Sequence, residues 1–346
     1  MPDLRGFAAN PFYSYMYAME WTADSLSGLA TGYWASGTLT AAMELGVFAV
    51  LSQGPATVEA ISRQTGGRAE LLPALMDALV SLGLLVQDGP AYAIAPSAEP
   101  LLSAKSPTNM LGALAYNADL FRQWASLGDV IKTGQPVRPP PDASATMTRR
   151  FVLGMESKAR AFAPALLPLI ELNGSRQLLD VGAGPGTVSR MLAERDKKLG
   201  VTLLDLPDVL AVAKDVCAAS PAVDRLTLHP ADYRRDTLPS PFDAVLYAGA
   251  LHQETVLDAT TLINNCFAAL KPGGKIFVVD LMLDPTRTRP TFSALFQLNM
   301  LLSRPTARVF SENEVADLLT AAGFDQPTIR RADGSPYVVV SARKPS

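Results

Sequence analysis

Charge, cysteine and histidine are all scarce in this chain, and each scarcity excludes something. Lysine plus arginine number 30 and aspartate plus glutamate 33 among 346 residues, leaving a formal charge of -3. No polycationic face is available to release phosphate counterions, so nucleic acid is excluded as an expected partner. The two cysteines, Cys217 and Cys266, fall in stretches that read as helices, which excludes a disulfide framework and fits a reducing compartment. The opening MPDLRGFAAN lacks a basic region followed by an apolar core, and no uninterrupted apolar run approaches the ~18 residues of a spanning helix. A cytoplasmic protein without membrane association is therefore expected, and no metal site is expected. With only 18% charged residues, much apolar surface must be covered, either in cores or against a second subunit, so a homodimer is expected.

What is present divides in two. A chain of this length is long for one core, so a boundary near the middle is the natural prior. Phe12, Tyr13, Tyr15, Tyr17, Trp21, Tyr33 and Trp34 crowd the segment from Asn10 to Trp34, and aromatic rings at helical spacing are read as packing surface, here a subunit interface. From Thr38 to Ala95 the pattern is helix, turn, helix, then a hairpin. Thr57 caps a helix running through Arg63, a third helix is expected from Ala69 to Leu82, and Leu84 to Ile94 turns at Asp88-Gly89-Pro90. This is a winged-helix outline, and its rival functional reading is a ligand-sensing regulator. However, AELLPALMDALVSLG, in the place of the recognition helix, carries no lysine or arginine with which to read a groove. Between Ser106 and Ala163 two helical pieces are expected, separated by TGQPVRPPPDAS, where Pro136, Pro139, Pro140 and Pro141 forbid a regular element. The second piece runs from Met147 to Leu167.

From Arg176 onward, apolar runs alternate with amphipathic helices. QLLDV, VTLLD, LTLHP, DAVLYA and KIFVVDLM read as strands, with helices near 187–196, 209–220 and 255–270. That alternation predicts a doubly wound, Rossmann-like α/β sheet. Ser311 and Glu314 form a capping box for a last helix, and TIRRA with YVVVSA closes a seven-stranded sheet as an antiparallel pair.

The chemistry concentrates at the carboxyl ends of these strands. DVGAGPGT follows the first strand, with Asp180 and then Gly182, Gly184 and Gly186 at alternate positions, which lets backbone approach a ligand. A dinucleotide fingerprint would place its last glycine at 187, where this chain has Thr187. Asp205, ending LLD, stands where a carboxylate accepts both hydroxyls of a ribose, although Asp205 or Asp208 could instead cap the helix that Pro207 opens. Past the third strand, Asp232 and Tyr233 can offer an acceptor and a flat ring to an adenine. Of the two histidines, His229 lies on a strand and reads as structural. His252 lies just past DAVLYA, at the sheet edge where open α/β folds hold ligands, and reads as a general base.

In this order, DVGAGPGT, LLDLP, ADY, LHQE and ALKPGGKIFVVD make the chain resemble the class I S-adenosylmethionine-dependent small-molecule O-methyltransferases, the plant caffeate, animal hydroxyindole and bacterial tailoring enzymes. The resemblance covers nearly the whole chain. It implies a winged-helix-like dimerisation domain over 1–105, a helical linker contributing to the substrate pocket over 106–170, and an S-adenosylmethionine-binding domain over 171–346. By the same resemblance, Asp180, Gly182, Gly184, Asp205, Leu206, Asp232, Tyr233 and Ala248 surround the cofactor. His252, with Glu254 in reserve, supplies the catalytic base, and Trp124, Phe151, Met155, Phe296, Asn299 and Met300 face a small-molecule acceptor. The chain departs from the pattern at three places. Gln253-Glu254-Thr255 replaces the usual Asp-Trp-Ser-Asp, Ala248 stands where a lysine or arginine is frequent, and TFSALFQLNMLLSRP lacks the acid that steadies the histidine, leaving Gln297 and Asn299 as the nearest polar residues. A hydroxyl acceptor is expected, with a thioether such as methylthio-hydroxybutyrate, or a carbon, as the alternatives.

Overall fold

A computed structural model describes residues 21–137, 144–332 and 335–346. Phe12, Tyr13, Tyr15 and Tyr17, and the prolines at 139–141, lie outside the described residues. The chain divides into two compact units, one ending at residue 122 and one spanning 123–346. The stretch 106–170, read from sequence as a separate linker, is thus shared between them. No helix among the described residues is long and apolar enough to cross a membrane.

The first unit holds α1 (Ala23–Thr31), α2 (Tyr33–Leu45), α3 (Val47–Leu51), α4 (Val58–Thr65), α5 (Leu72–Ser81) and most of α6 (Leu111–Trp124), with strands β1 (Ala56–Thr57), β2 (Leu85–Asp88) and β3 (Ala91–Ile94). Thr57 caps α4 by accepting from Ala60 N, as its sequence position demands. The third helix starts at Leu72, three residues later than expected, with Pro73 set into its first turn, where a missing N–H costs nothing. β2 and β3 pair from Leu85↔Ile94 to Asp88↔Ala91 around the expected turn. The Tyr92 hydroxyl then donates to Asp77 Oδ1 at 2.8 Å, pinning the hairpin to α5. Phe48, Ile61, Met76, Leu79 and Leu85 fill the core of this unit. In contrast, α1 buries no residue, and Trp21, Tyr33 and Trp34 are 58%, 61% and 62% exposed.

The second unit begins with helices α7 (Leu127–Thr133) and α8 (Ser144–Leu166). Three helical pieces therefore replace the two expected between 106 and 163, because the chain breaks after Trp124 and resumes at Leu127. Strands β4 (Gln177–Val181), β5 (Gly200–Asp205), β6 (Leu226–Pro230), β7 (Phe242–Ala248), β8 (Leu270–Leu281), β9 (Asp325–Arg331) and β10 (Tyr337–Arg343) form one sheet in the order β6-β5-β4-β7-β8-β10-β9. All neighbours are parallel except the β8–β10–β9 set. Helices α9 (Thr187–Arg195), α10 (Pro207–Cys217), α11 (Val256–Ala269), α12 (Thr291–Ser303) and α13 (Glu312–Ala321) complete it. Successive strand residues point to opposite faces, and both faces are apolar: Leu179, Val181 and Val245 join one core, and Leu178, Val201 and Leu246 the other. Such double burial is why these strands read as continuous apolar runs. The chain runs outward from β4 to β6 and then returns to β7 on the other side of β4. The crevice at the carboxyl ends around β4 is therefore the switch point where such sheets bind ligands.

Candidate active site

Loops leaving β4, β5, β6, β7 and β8 bring the singled-out residues to this one edge. After β4 the chain turns through Gly182, whose φ is +64° and whose missing side chain leaves room for Tyr233: a Cβ there would come within 3.1 Å of the Tyr233 ring. Gly186, with φ +68°, sits at the N-cap of α9, and a Cβ would meet Leu203 of β5 at 2.7 Å. Close helix-to-strand packing, the task of the last glycine in a dinucleotide fingerprint, thus falls to Gly186 and leaves position 187 free to carry a side chain.

Asp205 closes the loop from the other side. Its Oδ2 accepts from Gly184 N and its Oδ1 from Leu206 N, both at 2.7 Å. Neither contact is a helix cap of the kind weighed from sequence: one fixes the glycine loop, the other the residue beside it. Each carboxylate oxygen keeps a further lone pair for a ligand hydroxyl. Burial raises its pKa, against the pull of the two backbone N–H groups. Leu206 is 48% exposed. Asp232, half-buried, accepts from Arg234 N at 3.1 Å, and Tyr233 packs edge-on against Tyr247 with ring centroids 5.9 Å apart. Ala248 ends β7, half-buried and packed against the apolar layer.

Asp180 is buried to 3% exposure at the end of β4 and accepts from Ser189 Oγ at 2.5 Å. Burial, with the neighbouring Asp205 charge adding to it, pushes its pKa up to about 7. Between the ordinary aspartate range and that value, the folded chain holds a proton that the unfolded chain has released. This contribution to stability therefore declines as pH rises through that window. Asp180→Asn is accordingly expected to raise the melting temperature more at pH 8 than at pH 5; a calorimetric gain equal at both pH values would show that the carboxyl is not held protonated.

His252 lies in a single helical turn, Leu251–Gln253, after β7. Its Nδ1 is 2.7 Å from Asp280 Oδ1, and its backbone N donates to Asp280 Oδ2 at 3.1 Å. Asp280, 2% exposed near the end of β8, also accepts from Leu281 N. In a neutral imidazole, a proton on Nδ1 facing this carboxylate leaves Nε2 as the acceptor. Phe296 of α12 meets the imidazole edge-on at 4.8 Å between centroids.

The surroundings of His252 and Glu254 differ from those expected. The acid that steadies His252 comes from the strand, not from TFSALFQLNMLLSRP: Gln297 instead bridges Ala307 O and Val309 N, while Asn299 accepts from Trp124 Nε1 at 3.1 Å. Glu254, expected in reserve as a base, is held by other groups. It is 2% exposed and accepts from Arg234 Nη2 at 2.7 Å, Arg234 Nε at 2.9 Å and the Tyr233 hydroxyl at 2.8 Å. It ties the loop after β6 to the turn after β7. Asp280 and Arg234 were missed from sequence; the signal for Asp280 was an acid closing the apolar run KIFVVD at the ligand edge. Met300, on α12 with Phe296 and Asn299, is buried, and Phe151 and Met155 are half-buried on one face of α8.

A doubly wound sheet whose switch-point crevice carries a glycine loop, a carboxylate that fixes it and a histidine oriented by a buried acid is the framework of a nucleoside-cofactor enzyme. Residues 137–325 match the O-methyltransferase domain family and residues 27–104 the O-methyltransferase dimerisation domain family. The chain is 30% identical to the 3-hydroxy-5-methyl-1-naphthoate 3-O-methyltransferase of Streptomyces sahachiroi, over 92% of this chain and 94% of that one. It is also 30% identical to the acetylserotonin O-methyltransferase of Mus musculus, over 92% and 88% respectively. The crystal structure of human N-acetylserotonin methyltransferase in complex with S-adenosylmethionine superposes with a TM-score of 0.85 at 26% identity, covering 95% of this chain and 99% of that one. The chain belongs to the O-methyltransferase family and is an S-adenosylmethionine-dependent methyltransferase.

Proposed function

We propose that this enzyme methylates a hydroxyl on an aromatic small molecule, with His252 as the base. The oriented His252–Asp280 pair beside Phe296 carries the reading: Nε2 is the acceptor for the hydroxyl proton, and the ring edge of Phe296 suits a flat acceptor. The naphthoate and acetylserotonin named for its relatives fit that description. S-adenosylmethionine supplies an activated methyl group, so the protein's share is to bind, align and take the proton. The residues fit this cofactor. Asp205 offers two free acceptor sites for a ribose, the exposed Leu206 and half-buried Tyr233 offer apolar walls to an adenine, and the buried Asp180 would gain from a cationic group nearby. Gly182, Gly184, Asp232 and Ala248 belong to the same wall, and Trp124, Phe151, Met155, Asn299 and Met300 to the acceptor side. The hydrogen bond from Trp124 to Asn299 fixes one polar corner there. Glu254 serves this site by holding Tyr233 in place rather than by taking a proton.

Residues 1–105 form the dimerisation region in this reading. The exposed Trp21, Tyr33 and Trp34, which flank the unburied helix α1, are what a second copy would cover. A dimer is expected by light scattering at micromolar concentration, and a fully active monomer would contradict it. The cytoplasm is the proposed compartment, supported by two free, buried thiols at Cys217 and Cys266.

The test is turnover of labelled S-adenosylmethionine against a panel of phenols, alcohols and thioethers. Methyl ethers from phenols support the reading. Products from thioethers alone would overturn it, because a sulfide has no proton for His252 to accept.

A further inference from the structure

Position 187 is where the glycine loop departs from a dinucleotide fingerprint, and its side chain has a partner. The Thr187 hydroxyl, buried in the first turn of α9, donates to Glu156 Oε2 of α8. Glu156 is itself 7% exposed, and its Oε1 accepts from Arg190 Nη2 of α9 at 2.9 Å and from Arg160 Nε of its own helix at 2.5 Å. Arg190, also 7% exposed, reaches Glu194 at 3.3 Å, and Glu194 accepts from Ser220 at 2.7 Å. Burying such charges costs desolvation, and an apolar contact of the same shape would hold two helices at least as well. Directional groups differ from apolar ones in fixing one register, and this register has consequences at both ends. Glu156 immediately follows Met155 on the helix that carries Phe151, while Thr187 immediately follows Gly186, the pivot of the glycine loop.

We propose that Glu156 is a positioning residue: through the Thr187 hydroxyl and Arg190 it sets the acceptor-side helix α8 against the cofactor loop, so that cofactor binding at the loop is transmitted to α8. The proposal rests on the methyltransferase reading of the loop. In-line transfer is steeply sensitive to alignment, with a misplacement of about 1 Å able to cost ~10²-fold. Losing this hydrogen bond is therefore felt in turnover more than in binding.

The decisive substitution is Thr187→Val, which keeps shape and removes the donor, with Thr187→Ser as the rescue. In the wild-type protein, adding S-adenosylhomocysteine is expected to slow hydrogen exchange both at 182–190 and across 150–160. In Thr187→Val the slowing at 182–190 persists and that at 150–160 is lost, and Thr187→Ser restores it. On a hydroxyl acceptor, kcat of Thr187→Val falls about 10-fold or more with KM for both substrates little changed, the pattern of a lost alignment. Equal protection of 150–160 in wild type and Thr187→Val overturns the proposal, as does a Thr187→Ser variant as impaired as the valine. Loss of kcat that simply follows a fall in melting temperature also overturns it. If S-adenosylhomocysteine protects neither segment in the wild type, the cofactor reading itself has failed, and the proposal falls with it; protection at 182–190 alone defeats the proposal and leaves that reading standing.

Discussion

His252→Ala is expected to lower turnover of a hydroxyl acceptor by ~10²-fold or more while changing KM little, because the proton is lost near the transition state and the ground-state complex hardly feels the imidazole. The geometry sharpens this. Asp280 accepts at Nδ1, so the ring offers Nε2 with its lone pair outward, and a carboxylate in that place steadies the cation that forms as the proton arrives. Asp280→Asn should therefore reproduce much of the defect although it touches no substrate, since an amide can turn its NH2 toward Nδ1 and reverse the tautomer. On a thioether acceptor neither substitution should matter much. Near wild-type turnover of His252→Ala on a verified phenol would remove the base assignment, and Glu254, paired with Arg234 and Tyr233, would be the next residue to test.

The second large effect is on cofactor affinity. Asp205→Ala deletes both acceptors offered to a ribose and leaves its hydroxyls unpaired in the complex, so S-adenosylhomocysteine should bind more weakly by about 1–3 kcal/mol, the usual cost of unpaired buried polar groups. That is ~5- to 160-fold in dissociation constant. The fold itself should tolerate the change, because burial already disfavours the charged carboxylate. Calorimetry that finds unchanged affinity in a folded variant would end the ribose assignment.

Much of the fold was legible because its signals are local. The double-sided apolar runs gave the five parallel strands within a few residues, and the Ser311/Glu314 capping box gave the start of α13. The start of β8 at Leu270 was less legible, since its pairing with β7 is interrupted between Phe242 and Ala244 and the apolar pattern becomes regular only from Lys275. In the site, the loop residues were found by spacing, but their partners were not. Asp280 lies 28 residues from His252 in the chain and meets it only because β7 and β8 are neighbours. Nothing in LHQE reveals that Glu254 pairs with Arg234, from another strand's loop. Glu156 gave no signal, since Thr187 and Arg190 stand more than thirty residues on, across a helix interface, and only Arg160 is a local partner.

The support of His252 from β8 rather than from α12 separates two things that evolution or an engineer would want to change independently. The imidazole takes its orientation from the sheet, the most deeply buried part of the unit, whereas α12 presents Phe296, Asn299 and Met300 without contributing an acid to the base. If the proposed assignments hold, side chains along that helix can be exchanged to admit a larger, smaller or more polar acceptor while His252 keeps its support from Asp280. An enzyme built this way can diversify its products by drift on one helix, with its chemistry held in reserve on a strand.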